Sequence, residues 1–264
     1  MIIMCKRCSL LAALLAACSA GSALADPALT VGNSLSFFQG TFGTANTINI
    51  RYDATDIQYA DGNNWRIKLT VPYVSESGLP VGATVSGNTV VGGSSATAQT
   101  HSASGLGDVW LAAHYKIAAG SGLVPSVTPY AKIKFGTASA ADGLGTGKND
   151  YEVGVGLQQA AGRNWFPFAN LGYRFVGSPA GQSLRNIAIY QAGVSYLADS
   201  RNIVTLMYAG QQAQVSGAPA PSDAILAWNY NVTPAGSGLQ VYVDKGLSHG
   251  SAHFGIGIGG QIVF

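Results

Sequence analysis

The chain ends in the stretch Phe254-Gly-Ile-Gly-Ile-Gly-Gly-Gln-Ile-Val-Phe264, in which bulky apolar residues alternate with mostly small or polar ones. Phe254, Ile256 and Ile258 fall on one face of an extended chain, while Gly255 and Gly257 fall on the other. A period of two residues is typical of a β-strand whose two faces meet different surroundings. The last segment therefore predicts a strand that is apolar on one side only.

The same pattern recurs upstream, and we count twelve such segments in all. They lie at 30–40, 46–59, 65–73, 108–117, 127–135, 150–160, 165–176, 187–198, 202–212, 223–232, 238–247 and 254–264. Short turns such as Asp61-Gly62-Asn63 alternate with longer connections, of which 78–104 is the longest. Short turns on one side and long loops on the other are characteristic of bacterial outer-membrane barrels.

Composition supports a barrel over the alternatives. Only 10% of the residues are charged and 47% are hydrophobic, yet past the N-terminus no apolar run reaches the ~18 residues that a spanning helix requires. A soluble β-sandwich would show the same alternation, but its polar faces should be richer in charge. Aromatic residues also fall near predicted strand ends, as in an interfacial girdle. They are Tyr52, Trp65, Tyr73, Tyr115, Phe135, Tyr151, Trp165, Phe175, Tyr190, Tyr196 and Phe264.

We therefore predict an all-β fold, a single transmembrane antiparallel up-and-down β-barrel of about twelve strands and of the bacterial outer-membrane type. The predicted barrel domain spans 26–264, and 78–104 is predicted as a long extracellular loop. An even number of strands places both chain ends on the periplasmic side. The C-terminal Phe264 resembles the aromatic signal that barrel-assembly machinery recognises.

Residues 1–25 have the pattern of an export signal. Lys6 and Arg7 precede a short apolar run, and small residues lead to a predicted cleavage between Ala25 and Asp26. The alternative is a lipoprotein site at Cys18, which follows Leu15-Ala16-Ala17. All three cysteines lie in this segment, and its removal leaves twelve basic and twelve acidic residues. The mature chain thus has no net charge that would favour a nucleic-acid partner.

A series of motifs in the middle of the chain resembles a known family. The series comprises Gly105-Leu-Gly-Asp108, Pro129-Tyr-Ala-Lys-Ile-Lys-Phe-Gly-Thr137, Gly143-Leu-Gly-Thr-Gly-Lys-Asn-Asp-Tyr151 and Asn170-Leu-Gly-Tyr-Arg174. It is similar to the outer-membrane transporter family named for the meta-pathway of phenol degradation, with the best match over 105–198. Phe135-Gly136-Thr137 stands where members commonly carry Pro-Thr-Gly. The resemblance implies an outer-membrane barrel that moves small hydrophobic or aromatic compounds.

Alternation also predicts which ionisable residues line the lumen, because charges at membrane depth require a cavity and partners. The predicted pore-lining set is Arg51, Arg66, Lys68, Asp108, His114, Lys116, Lys132, Lys134, Glu152 and Arg174, with Asp53 and Asp244 also predicted to face inward. Most of the cations fall on predicted strands three to five and form a basic wall. Two interpretations remain open: a salt-bridge network that fills the barrel, or a narrow pore that favours anions.

Neither cofactor nor catalytic site is predicted. Gly255, Gly257 and Gly260 match a dinucleotide fingerprint as letters, but no helix can follow so close to the end of the chain. His101 as a base, with Ser102 and Ser104 as nucleophiles, is the remaining catalytic candidate, and no third group that would orient the histidine is apparent near them. We therefore expect a protein that is not an enzyme, and a lipid-modifying enzyme is the remote alternative.

The leading hypothesis is an outer-membrane channel for passive passage of a small solute, with the 78–104 loop folding into the lumen as a gate. The second hypothesis is a structural or surface-interaction barrel that does not conduct. The expected partners are outer-membrane lipid, the barrel-assembly machinery and a small-molecule solute. Nothing in the sequence predicts the substrate or the oligomeric state.

Overall fold

The computed structural model describes residues 27–86, 89–92, 99–121 and 124–264, and within them the chain forms strands and no helix. The predicted cleavage site, Ala25 and Asp26, lies outside the described residues, as do Cys18 and the whole predicted signal segment. The strands are β1 (Ala28–Gly40), β2 (Ile48–Ala60), β3 (Trp65–Pro80), β4 (Ala83–Ser86), β5 (Thr89–Gly92), β6 (Thr100–Leu106), β7 (Val109–Tyr115), β8 (Ser126–Phe135), β9 (Asp150–Gln158), β10 (Trp165–Phe175), β11 (Ile187–Leu197), β12 (Asn202–Gln211), β13 (Ser222–Asn231), β14 (Gly238–Gly246) and β15 (Phe254–Val263).

Antiparallel pairing joins all of these strands except β4 and β5 into one closed barrel. Neighbours along the chain pair from β7 through β15, β15 pairs with β1, and β1–β2–β3 completes the ring. The strands β6 and β7 both pair with β3, one after the other, and so act as a single interrupted strand. When β6 and β7 are counted as one, the described barrel therefore has twelve strands, which confirms the predicted fold class.

The interruption between β6 and β7 has a local cause on the neighbouring strand. Pro72 of β3 has no N–H, so it cannot donate to the ladder. Its carbonyl accepts a hydrogen bond from Gly107 N at 2.8 Å. A Cβ on Gly107 would lie 2.8 Å from Val74 and 2.9 Å from Pro72, so glycine is required for this close approach. The strands β6 and β7 thus meet at a contact between Gly107 and Pro72.

The two ends of the barrel differ in the length of their connections. At the short-turn end, Asp61 Oδ1 accepts from the N–H of Asn63 at 2.7 Å and of Trp65 at 3.1 Å. Asp199 organises the β11–β12 turn in the same manner, and the N–H groups of Arg201 and Asn202 hold the pKa of Asp199 below its usual value. At the long-loop end the chain crosses between strands at 41–47, 81–99, 136–149, 176–186, 212–221 and 247–253.

The predicted loop at 78–104 is only partly a loop. β3 continues to Pro80 and β6 begins at Thr100, while β4 and β5 between them form a small hairpin in which Val85 pairs with Val90. Every residue of β4 is buried, and Val85 N donates to Gly143 O at 2.8 Å. This cap hairpin (83–86 and 89–92) joins the apolar cluster of the barrel interior together with Leu144.

The outward face carries the aromatic residues in two groups. Trp65–Tyr115 and Trp165–Tyr196 lie at the short-turn end, with ring centroids 4.8 Å and 4.6 Å apart. Tyr173–Phe175 and Tyr190–Tyr208 lie toward the other end. Tyr52 is an exception, because it lies on the inner face beside the buried Ile50 and Ala54. The outward aromatic pairs at the two ends are arranged as in an interfacial girdle.

Candidate functional site

The interior of the barrel is the candidate site, and most of its ionic side chains lie on one wall. This ionic wall is formed by the inner faces of β3 and β7–β10, together with Asp56 of β2. Its most buried group surrounds Lys134, which is 1% exposed. Lys134 Nζ lies 2.9 Å from Asp150 Oδ2 and 3.2 Å from Asp108 Oδ2. It also donates to Thr146 Oγ1 of the 136–149 loop at 3.1 Å. One cation thus joins two acids and a capping loop.

A second group is centred on the buried Glu152. Its Oε1 lies 3.0 Å from Lys132 Nζ, and its Oε2 accepts from Arg174 Nη2 at 2.8 Å and from Arg174 Nε at 3.0 Å. Aromatic faces complete the group, since Lys132 Nζ lies 4.7 Å from the Tyr130 ring centroid and Arg174 lies 5.0 Å from that of Trp110. Both cations are therefore held by charge and by ring contacts.

Toward the short-turn end the ionic wall becomes less balanced. Lys68 Nζ lies 3.0 Å from Asp56 Oδ2, and the His114 ring lies 5.5 Å from that of Tyr130. Arg66 faces inward opposite His114 in the β3–β7 register. Within the described part of the chain, neither Arg66 nor Lys116 has an acid within ion-pair distance. Positive charge therefore accumulates at this end of the lumen.

Nine of the ten predicted pore-lining residues lie on or beside the inner face, and Arg51 does not. The predicted inward direction of Arg51 is wrong, and so is that of Asp53, because both are exposed on the outer face of β2. The inner face of β2 instead carries Ile48, Ile50 and Tyr52 in its long-loop half. Those residues pack in the interior apolar cluster, and this packing reverses the usual polar-inside pattern on this strand.

The wall opposite the ionic residues, which we call the apolar wall, carries most of the large apolar side chains of the interior, interspersed with polar residues such as Ser34 and Thr205. It is formed by the inner faces of β1, β2 and β12–β15, and its large buried side chains are Phe38, Ile50, Met207, Ile225 and Tyr242. Glycines on β15 make room for the rings. A Cβ on Gly255 would lie 2.5 Å from the Phe38 ring, and one on Gly257 would clash with the edge of the Tyr242 ring. The alternating glycines therefore provide space for aromatic side chains in the lumen.

Two acids interrupt this apolar wall near its long-loop end. Asp223 and Asp244 are 7% and 4% exposed and lie on neighbouring strands, diagonally across the β13–β14 register. Among the described residues, neither carboxylate oxygen of Asp244 has a hydrogen-bond partner. Sequence alternation placed Asp244 inward, but it missed Asp223, Asp56 and Asp150. Of these three, only Asp150 is in phase with a correctly assigned inward residue, Glu152, so the alternation carried a signal for Asp150 alone.

The structure does not bring the catalytic candidates His101, Ser102 and Ser104 together on one face of β6. His101 is directed inward, with Nε2 3.5 Å from Glu76 Oε1 and 3.3 Å from the Asp142 carbonyl. Ser102 and Ser104 lie on the exposed, opposite face of β6, and Ser104 Oγ accepts from the Tyr73 hydroxyl at 3.3 Å. The histidine cannot serve as a base for serines on the other side of the strand.

Within residues 27–86, 89–92, 99–121 and 124–264, no group of three or more His, Cys, Asp or Glu side chains is placed to hold a metal ion. Those same ranges contain no helix that is long and apolar enough to cross a membrane.

The fold is similar to those of solved outer-membrane barrels. An outer membrane channel from Pseudomonas putida F1 matches with a TM-score of 0.68 at 12% identity, over 93% of this chain and 97% of that one. The β domain of the Bordetella autotransporter BrkA matches with a TM-score of 0.52 at 14% identity, over 90% of this chain and 100% of that one. The chain thus has the fold of an outer-membrane β-barrel.

Comparison by sequence adds no further relationship. No protein-family model matches the chain, and no curated protein matches it either.

Proposed function

We propose that this barrel resides in the bacterial outer membrane, after cleavage of residues 1–25, and allows passive passage of a small solute of apolar or aromatic character. The observation that carries the proposal is the unequal lining of the lumen. One wall carries an apolar cluster with Phe38, Met207 and Tyr242 in its long-loop half, and it faces an ionic wall whose charges are largely paired with one another. An aromatic solute would gain contact with the apolar wall and would not need to separate the ion pairs.

The cap hairpin supports gated rather than free passage. Its buried Val85 packs with Leu144 and Leu79 in the same cluster as the apolar wall. Lys134 ties the 136–149 loop to the barrel through Thr146, and Asp108 Oδ1 accepts from Ala138 N at 3.1 Å. The lumen thus has an apolar lid on the side that we assign to the cell exterior. Such a lid would admit an apolar solute by side-chain displacement.

Fold similarity supports the proposal without fixing the solute. The Pseudomonas putida protein is described as an outer membrane channel, and at 12% identity its likeness concerns the fold. The exposed outward face, rich in Leu, Ile and Val, fits a lipid environment. Phe264, which is 72% exposed beyond the end of β15, is the group we assign to recognition by the barrel-assembly machinery.

Planar-bilayer recording tests this proposal. We expect small, intermittent conductance steps from the intact protein. Replacement of 83–92 by a short Gly-Ser linker should produce larger and longer steps because the apolar lid is removed. The matched control replaces the exposed residues 216–218 in another loop at the same end, and it should record like the intact protein. A flat trace from both the intact and the lid-less barrel would reject the channel.

A second function, a non-conducting structural barrel, is favoured by one specific observation. Lys134 and Glu152 are nearly inaccessible and hold a connected set of ion pairs across β7–β10. Such a network could fill and stiffen the barrel. This function predicts that neutralising Lys132 and Lys134 lowers stability and leaves solute permeation at zero in every variant.

A further inference from the structure

The outward face of the barrel is apolar from β7 to β15, and polar residues break it on the other side, on β1, β2, β3 and β6. From β7 to β15 the outward residues are apolar, aromatic or glycine, apart from Asn202, Ser222 and Lys245 at strand ends. On β1 and β2 this belt is broken by four exposed polar residues. This outer polar patch consists of Asn33, Arg51, Asp53 and Thr55.

The patch is an organised arrangement. Asn33 Nδ2 donates to Asp53 Oδ1 at 2.7 Å and to Thr55 Oγ1 at 3.2 Å, across the β1–β2 pairing. The amide thus orients the carboxylate and the hydroxyl on the outer surface. Among the described residues, no acid lies within ion-pair distance of Arg51. One charge of each sign is therefore displayed two residues apart on the same face of β2.

The depth of the patch makes its polarity costly in lipid. Asp53 lies six residues along β2 from the aromatic Tyr59 at the short-turn end. At about 2.5 Å of height per residue in a tilted strand, that is ~15 Å into an apolar belt that is about 25 Å tall. Acyl chains offer no hydrogen-bond partner, and charged groups at such depth are found paired or facing a cavity. The patch therefore calls for a protein partner.

We propose that the β1–β2 wall is the interface through which two copies of this chain form a dimer in the membrane. The patch is self-complementary in charge. A two-fold axis along the membrane normal keeps each residue at its own depth and pairs a surface with itself. Arg51 of one copy then approaches Asp53 of the other, and the reverse pair forms by symmetry.

The surroundings of the patch fit close approach of a second barrel. Gly260 lies directly beside Asn33 in the β1–β15 register and leaves the outer surface without a side chain there. Small residues at interfaces in membranes let backbones approach closely. Leu35 and Ile258, which pair with each other next to Asp53, are 50% and 56% exposed and would pack around the polar centre. An anionic lipid headgroup would attract Arg51 but would be repelled by Asp53.

Cysteine cross-linking in isolated outer membranes tests the interface. The proposal rests on the proposed membrane location and not on solute passage. Thr55→Cys should give a covalent dimer when a flexible bis-maleimide cross-linker is added, since the two Thr55 sites flank the axis and are too far apart for a direct disulfide. Leu206→Cys, at an exposed outward site on β12, is the matched control and should stay monomeric. The unchanged chain, whose cysteines are at positions 5, 8 and 18, serves as the blank.

Charge exchange in the Thr55→Cys background makes the test specific. Arg51→Asp alone and Asp53→Arg alone should each reduce cross-linking at least tenfold, because each places like charges across the axis. The double exchange Arg51→Asp with Asp53→Arg should restore it. The shift in electrophoretic mobility on heating reports whether each variant is a folded barrel, and fractionation reports its location independently.

Three results would overturn the dimer. The first is equal cross-linking at Thr55→Cys and Leu206→Cys. The second is a double-exchange variant that folds but does not recover cross-linking. The third is a loss caused by Arg51→Asp with none caused by Asp53→Arg, which would assign Arg51 to an anionic lipid headgroup instead. Absence of folded barrel from the outer-membrane fraction would count against the proposed location itself.

Discussion

The two walls of the lumen differ in how they are held together. On the ionic wall, Lys134 and Glu152 hold partners on neighbouring strands through distances of 2.8–3.2 Å. On the apolar wall, Phe38 and Tyr242 lie over the glycines of β15. Loss of one member of an ion pair in a poorly hydrated interior lowers the unfolding free energy strongly, because the other charge is left buried and unpaired. Loss of apolar contact lowers it in proportion to the volume removed. The ionic wall should therefore be the rigid side, and the apolar wall the side that a solute can displace.

The largest effect should come from breaking the ionic wall at Lys134. Lys134→Met leaves Asp108 and Asp150 buried without a cation, which should cost about 3–5 kcal/mol of unfolding free energy. Urea unfolding of the reconstituted barrel measures this loss. Lys148→Met, at an exposed position of the adjoining loop, is the control and should stay close to the unchanged protein. Equal stability of the two variants would contradict the assigned pairing.

The next effect concerns the inner and outer faces of β15. Ile256 is exposed on the outer face, so Ile256→Arg should cost ~2–4 kcal/mol if it meets lipid near the midplane. Gly257→Arg faces inward against the Tyr242 ring, and it should be limited by space in detergent and lipid alike. Comparing unfolding in bilayers and in detergent separates the two causes. Identical behaviour of both variants would mean that the face assignment is wrong.

A smaller effect should follow from trimming the apolar wall. Ile225 is 1% exposed, and Ile225→Val should cost about 0.5–1.5 kcal/mol. The same change should alter permeation of an aromatic solute while leaving that of a small ion unchanged. Ile203→Val, a buried residue nearer the short-turn end of β12, controls for general loosening. If both variants change ion and solute permeation equally, then the apolar wall is not the solute path.

The smallest change in stability should come from Arg66, which has no ion-pair partner in the described chain. Arg66→Gln should shift unfolding by no more than ~0.5 kcal/mol. It should nevertheless lower the permeability ratio of anion to cation, because it removes positive charge from the short-turn end of the lumen. Reversal potentials in a salt gradient measure this ratio. An unchanged ratio would remove Arg66 from the conducting path.

The strands were predictable from the sequence because alternation is local. All twelve predicted segments correspond to strands of the barrel, and β15 begins at the predicted residue Phe254. The phase of β2 was wrong because its inner residues belong to an apolar cluster that also contains residues distant in the chain, such as Met207 and Ile225. Local alternation cannot identify which face meets that cluster. Outward Arg51 and Asp53 therefore looked like lumen residues.

Two further features depended on distant contacts. The cap hairpin was missed although Ser86-Gly-Asn-Thr89 between two valine-containing segments is a hairpin signal. Its burial depends on the 136–149 loop, which the sequence cannot place. Which acids neutralise the basic wall also depends on strand register, as in the Lys132–Glu152 and Lys134–Asp150 pairs. The sequence therefore predicted a basic wall, whereas in the structure most of the cations on that wall are paired with acids.

The most direct test of solute passage along the apolar wall is a swelling assay on liposomes that contain the purified barrel. Two uncharged solutes form a matched pair, methyl glucoside and the larger phenyl glucoside. Our account predicts that phenyl glucoside permeates faster than methyl glucoside, and that the preference decreases in Ile225→Val. A wide aqueous pore would give the opposite order. No protein-dependent swelling with either solute would contradict a channel and leave the structural barrel.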